Sequence, residues 1–332
     1  MIAMETILDV QDLQTYYRTG KQVVPAVDGV SFRLAKGEVL GIVGESGSGK
    51  STVVRSIIRL LDKNTTRIEN GRVLFRGKDL LKLSGRELRG IRGKSISMVF
   101  QNPLSSLNPV YTIGNQIQEA ILTHESMSRA KARDRALHLL EQVEIPSPEL
   151  RLDDYPHQLS GGMQQRVLIA MALACQPEII LADEPTTALD VTIQSQILEL
   201  LSRIRDERNM SIILITHNMG VIAEMCDRML VMYGGVVMEE GKCTDVFASP
   251  LHPYTLGLLA SIPSLEEEKE ELYAIPGQVP HFNAPVSSCR FCSRCDQVFT
   301  RCREEEPPFI QIGDGRFVRC WLYAQENETN NG

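Results

Sequence analysis

The stretch GESGSGKST, Gly44 to Thr52, fits the spacing G-x-x-x-x-G-K-[ST], which is the chemistry of a phosphate cradle. Gly44, Gly47 and Gly49 let backbone N–H groups converge on phosphate oxygens without side chains in the way, and a helix start behind them adds a favourable dipole. Lys50 is placed to reach β- and γ-phosphates, and Ser51 to offer its hydroxyl to Mg2+. Ser46 and Thr52 complete the candidate cofactor contacts of the loop.

Two further stretches extend that chemistry. IILADEP, Ile179 to Pro185, is an apolar run ending in two acids. Asp183 is placed to hold the Mg2+ shell, and Glu184 to orient and polarise an attacking water while cationic and backbone groups stabilise the transferred phosphoryl. In LSGGMQQR, Leu159 to Arg166, Ser160, Gly161, Gly162 and Gln165 precede the apolar run VLIAMALA and form a second phosphate-binding helix start. One ATP does not need two cradles. The second makes sense if it closes over a nucleotide held by another subunit, so that binding joins two copies and hydrolysis releases them.

The elements that must position these residues can be read as well. GEVLGIVG (Gly37 to Gly44), SISMVF (Ser95 to Phe100), EIILAD (Glu178 to Asp183) and SIILITH (Ser211 to His217) are short apolar runs expected to be buried strands. Between the last two, Ile193, Ile197, Leu200, Leu201 and Ile204 recur at helical spacing. Strand, helix, strand implies a largely parallel sheet covered by helices, an α/β fold. From Gln101 the texture turns helical, with Ala136, Leu139, Leu140 and Val143 as an apolar stripe, which predicts a helical insertion in the α/β core. Beyond Pro250 the chain is richer in proline. The acidic run Glu266 to Glu271 reads as a solvated face and ENETNNG as a disordered end.

Composition narrows the function. The 332 residues carry a formal net charge of -7, which argues against a general nucleic-acid binder. No run of 18 apolar residues and no signal peptide is present, so the expected location is cytosolic. Eight cysteines in that compartment point to metal or redox work rather than disulfides. Four of them crowd into SSCRFCSRCDQVFTRC, Ser287 to Cys302. Cys175, Cys226 and Cys243 stand singly in apolar or turn contexts and read as core or incidental thiols.

In this order the motifs resemble the ATP-binding subunit of an ABC transporter, a P-loop NTPase. The resemblance adds further marks. Gln101 in VFQNP is similar to the Q-loop, which senses the γ-phosphate through Mg2+. ALD, Ala188 to Asp190, resembles the D-loop of the dimer seam, and His217 in LITHN the switch histidine. Tyr17 in LQTYY resembles the adenine-stacking aromatic, with Tyr16 the alternative by one register. Chromosome-type relatives place a long coiled coil between the lysine loop and the signature; no heptad run intervenes here.

SPLHPYTLGLLASIPSL, IPGQVP and the cysteine block resemble the C-terminal extension of the oligopeptide/dipeptide (and nickel) permease ATPases, and the signature region resembles the first of their two paralogous ATPases. The resemblance implies an ATP-binding domain over 1–250 with a helical subdomain at about 101–165, an extension over 251–323 and a disordered end at 324–332. It implies a dimer with the paralogous ATPase, or a homodimer, beneath two permease subunits, fed by an extracellular substrate-binding protein. The chain would sit on the cytoplasmic face of the membrane. Cys289, Cys295, Cys302 and Cys320 reproduce the family's ligand spacing for a [4Fe-4S] cluster, with zinc as the competitor. Cys292 departs from it, making C-x2-C-x2-C and leaving the ligand assignment open. Other cargo (nickel or sugar), or a soluble regulator with a redox-sensing tail, are the rival readings.

Overall fold

The computed structural model describes residues 5–20, 22–187, 190–261, 275–280, 282–284 and 286–324. Ala188 of the ALD motif, the acidic run Glu266 to Glu271 and the end of the chain from residue 325 lie outside the described residues. In chain order the strands are β1 (Thr6–Thr19), β2 (Gln22–Ala35), β3 (Val39–Val43), β4 (Thr66–Phe75), β5 (Lys78–Asp79), β6 (Ile96–Val99), β7 (Ile179–Asp183), β8 (Ser211–Ile215), β9 (Arg228–Tyr233), β10 (Val236–Lys242), β11 (Ile310–Gln311) and β12 (Phe317–Val318). The chain divides into two compact units, one made mainly of 82–215 and one of 6–34, 39–81 and 216–332.

In the first unit β6, β7 and β8 run parallel, with Ile96 opposite Ile179 and Ile179 opposite Ser211. Every residue of β7 and β8 is buried, as expected for parallel strands covered on both faces. Between β6 and β7 the chain is helical. Helix Ile113–His124 is capped by Thr112, helix Arg129–Gln142 by Ser128, and helix Gly161–Leu173 by Ser160. The predicted stripe Ala136, Leu139, Leu140 and Val143 is buried. After β7 the long helix Val191–Arg208 buries Ile197, Leu198, Leu200, Leu201 and Ile204, and ends on Asn209 in the left-handed conformation (φ +49°). Ile193 is only partly buried, because it lies in the first turn of that helix beside Gly162.

The second unit holds an antiparallel sheet in the order β2-β1-β4-β5. In β2 the buried residues Val30, Phe32 and Leu34 alternate with exposed or half-buried ones, the period of a strand with one covered face. The same unit pairs β3 with β9 in parallel, β9 with β10 antiparallel, and β10 with β12 and β12 with β11 antiparallel. The C-terminal extension therefore adds two strands to this unit, β12 beside β10 and β11 at the edge. Arg301 stacks over Trp321 at 3.6 Å, and the indole N–H donates to Glu305 O.

Candidate functional site

The phosphate-type loop follows β3 in the second unit. Gly44, Gly47 and Gly49 all have positive φ, +152°, +79° and +101°. A Cβ on Gly44 would stand 2.1 Å from Met232 O, and one on Gly49 2.2 Å from Ala26 O, so these two glycines are required by close backbone approach as well as by dihedral. A Cβ on Gly47 would meet nothing within 4 Å. Gly49 is the N-cap of helix Lys50–Ile57, and no side chain caps that start, which suits an anion at its first N–H groups.

Lys50 is 5% exposed, with Nζ donating to Gly44 O at 2.8 Å and Glu45 O at 2.9 Å. The ammonium is thus held across the loop by the loop's own carbonyls. Ser48, fully buried, accepts Gly235 N–H at its carbonyl. Ser46 and Gly47 are exposed at the tip, and Ser51 is half-buried. The Tyr17 hydroxyl lies 3.3 Å from Thr52 Oγ1. Tyr16 instead donates to Asp28 Oδ1 at 2.8 Å, and burial, reinforced by that carboxylate, pushes its phenol up to about 12. His217 is exposed, ahead of helix Met219–Met225, whose N-cap is Asn218.

The acid pair belongs to the first unit. Asp183 is the last residue of β7 and fully buried. Glu184 has φ +48° and its N–H donates to Ile215 O. A non-glycine residue there carries about 1–3 kcal/mol of strain, of the kind that collects at functional sites. Its Oε2 accepts from Gln101 Nε2 and from Thr187 Oγ1, both at 2.8 Å. Gln101 and Glu184, 83 positions apart, are therefore brought together. Thr187 was not singled out from sequence; the only signal is its place three residues after the acid.

Ser160 caps its helix by accepting Met163 N–H, and with Gly161 it is exposed. A Cβ on Gly162 would stand 2.8 Å from Ile193 Cγ2. Gln165 is 1% exposed, and its Nε2 is buried without a hydrogen-bond partner. Asp190 caps helix Val191–Arg208 by accepting Ile193 N–H at 2.9 Å.

In the extension Cys289, Cys302 and Cys320 are buried, and Cys292 and Cys295 half-buried. Cys289 N–H donates to Cys302 O. Burial pushes the Cys289 thiol up to about 12, with Cys302, Cys292 and Cys320 adding to it; burial likewise pushes Cys320 up to about 11, with Cys295 and Cys302 adding. As a donor set the five thiols match a thiolate-held metal in kind. Their spacing does not. Among the described residues no three His, Cys, Asp or Glu side chains are grouped so as to hold a metal ion. Cys226 and Cys243 are buried singles, and Cys175 is half-buried.

A lysine held in a glycine loop behind a buried strand, and an acid pair ending another, define a P-loop nucleotide-binding protein. Residues 27–187 match the ABC transporter family, and residues 238–302 match the oligopeptide/dipeptide transporter C-terminal region. The chain is 48% identical over 328 residues to a probable peptide ABC transporter ATP-binding protein of Sinorhizobium fredii, covering 98% of this chain and 97% of that one. It is 49% identical over 325 residues to the dipeptide transport ATP-binding protein DppD of Bacillus subtilis, again covering 98% and 97%. Among solved structures it resembles an ATP-binding cassette dimer in a post-hydrolysis state bound to ADP and Pi, with TM-score 0.64 and 32% identity over 71% of this chain and 98% of that one. The chain belongs to the ABC transporter family, as an ATP-binding and ATP-hydrolysing subunit. Among the described residues no helix is long and apolar enough to cross a membrane.

Proposed function

We propose that the chain energises the import of di- and oligopeptides from the cytoplasmic face of a membrane, as one of two ATPase subunits beneath two permease subunits that receive cargo from an extracellular binding protein. The peptide reading draws on the printed names of the relatives and on the oligopeptide/dipeptide match of residues 238–302. Lys50 exchanges its loop carbonyls for β- and γ-phosphate oxygens, and Tyr17 stacks on adenine. Ser51, Gln101 and Asp183, a hydroxyl, an amide and a carboxylate, are hard oxygen donors of the kind that hold Mg2+, which neutralises phosphate charge when bound. Ser160, Gly161 and Gly162 of one subunit close over the nucleotide of the other, with Asp190 at the seam and His217 on the γ-phosphate.

The observation that carries the hydrolytic reading is the strained Glu184 carboxylate held by Gln101 and Thr187. Glu184 orients water and takes its proton as the γ-phosphoryl is transferred, giving ADP and inorganic phosphate. With the permease subunits in proteoliposomes, Glu184→Gln should keep ATP binding and lower turnover and dipeptide uptake by about 10²–10⁴-fold. Unchanged turnover refutes that role for Glu184, and wild-type uptake of nickel but not of dipeptide refutes the cargo.

The extension's finer assignment is a [4Fe-4S] cluster on Cys289, Cys295, Cys302 and Cys320, which rests on the number of thiols in the extension and their softness as donors and not on their spacing. Iron and acid-labile sulfide in anaerobically purified protein test it; zinc without sulfide assigns the thiols to a structural zinc site instead.

A further inference from the structure

The cysteine block reaches the phosphate-binding loop through an arginine. Arg294, whose side chain is 4% exposed, donates through Nη1 to Glu45 Oε2 at 2.5 Å and through Nη2 to Glu45 Oε1 at 3.0 Å, a two-pronged pair. The fork is fixed from the other side, where Nε donates to Pro276 O at 2.8 Å and the guanidinium lies 5.7 Å from the Tyr233 ring and 5.9 Å from Phe291. Glu45 is the residue after Gly44, and each of its other polar groups is also engaged. Its N–H donates to the Tyr254 hydroxyl at 2.8 Å, and its carbonyl accepts from Lys50 Nζ. Tyr254 packs against Tyr233 and Phe291. Four residues before Arg294, Arg290 donates to Gly234 O and to Asp28, and Gly235 N–H donates to Ser48 O in the loop. Two arginines on either side of Cys292 therefore brace the loop from behind.

A loop that takes a triphosphate carries in Glu45 a carboxylate of the wrong sign, and Arg294 is what neutralises and directs it. We infer that Arg294 is a positioning residue for nucleotide binding: by neutralising the Glu45 carboxylate and turning it toward the extension it keeps that charge off the incoming phosphates, so that ATP affinity depends on the extension being docked. The inference rests on the reading of Gly44 to Thr52 as the nucleotide loop. Removing one partner of such a pair leaves the other charge uncompensated, whereas replacing both is close to neutral.

The test is ATP affinity by calorimetry on the full chain. Arg294→Met should bind ATP about tenfold more weakly, and Arg294→Met with Glu45→Gln should return to near the wild-type affinity because the unpaired carboxylate is gone. Wild-type affinity in Arg294→Met, or a double variant as weak as the single one, overturns the inference. If Arg294→Met unfolds the extension, Arg294→Lys keeps the charge but not the fork; an affinity below wild type by a few fold then supports the inference and an unchanged one overturns it. Wild type that binds no ATP, or binding retained in Lys50→Ala, refutes the nucleotide reading itself rather than the role of Arg294.

Discussion

The glycine loop and the acid pair reach a similar end, charged groups held out of their relaxed arrangement, by opposite means. In the loop the geometry comes from missing side chains: Gly44 and Gly49 let Met232 O and Ala26 O approach to distances no Cβ would tolerate. At Glu184 a full side chain sits in the left-handed region, and the arrangement is sustained by added partners, Gln101 and Thr187. A geometry made by absence fails by steric collision. One made by partners fails gradually, as hydrogen bonds are removed one at a time.

The largest expected effect is therefore steric. Gly49→Ala places a methyl 2.2 Å from a carbonyl oxygen at φ +101°. It should abolish ATP binding and lower stability by about 3 kcal/mol or more, measured by calorimetry and denaturant unfolding. Gly47→Ala provides the contrast. With φ +79° but open space around it, it should lose only about 1 kcal/mol from the dihedral. Equal effects from the two substitutions would break the claim that close backbone approach sets this loop.

A smaller effect is expected at the acid pair. Thr187→Val deletes one donor to Glu184 Oε2 and leaves Gln101 in place. Turnover should fall by about tenfold, a barrier change of about 1.4 kcal/mol, with the melting temperature almost unchanged. A loss as large as that of Glu184→Gln would mean that the carboxylate needs both donors at once and would turn the contrast with the loop into a likeness.

The same distinction explains what could be read from the sequence. Strands β3, β6, β7 and β8 were legible because parallel strands covered on both faces are continuous apolar runs, and their observed limits lie inside the quoted stretches. The helix after Asp190 was legible from its stripe. The sheet of β1, β2, β4 and β5 was not singled out, because its strands are half-exposed and β1 has register shifts against β4 between Gln11 and Thr15. The short strands β11 and β12, two residues each, leave no periodicity to find. The family resemblance added Gln101, and motif spacing singled out Gly44, Lys50 and Glu184 as candidates, since a cradle or an acid is defined by residue type in local context. It could not supply Thr187, whose role depends on the left-handed turn at Glu184, or Arg294, 249 positions from Glu45. The thiols were legible as a donor set, whereas their spacing is a property of the fold.

The smallest expected effect is a pH dependence that separates the two regions once more. His252 is 1% exposed and caps helix Pro253–Ala260, its Nδ1 accepting Tyr254 N–H at 2.9 Å. It faces the Phe291 ring and hydrogen-bonds the Arg319 backbone. Its own backbone N–H donates to buried Glu239, which also accepts from Arg316. Burial pushes the imidazole down to about 3 from an ordinary 6.5. The unfolded chain therefore binds the extra proton first as pH falls, so the stabilisation is complete above about 6.5 and is lost between there and about 3. From pH 7 to pH 5.5 the loss is about 1 kcal/mol, and it should appear as lower amide protection factors in helix Pro253–Ala260, each rate being normalised to the intrinsic rate at its pH. Because Tyr254 of this helix holds Glu45 N–H, protection in the glycine loop should fall with it, while that of strand β7 leading to Glu184 changes less. His252→Asn keeps a capping side chain without a titrating ring and should flatten the response. Equal acid loosening in β7, or an undiminished response in His252→Asn, would locate the sensitivity outside this helix.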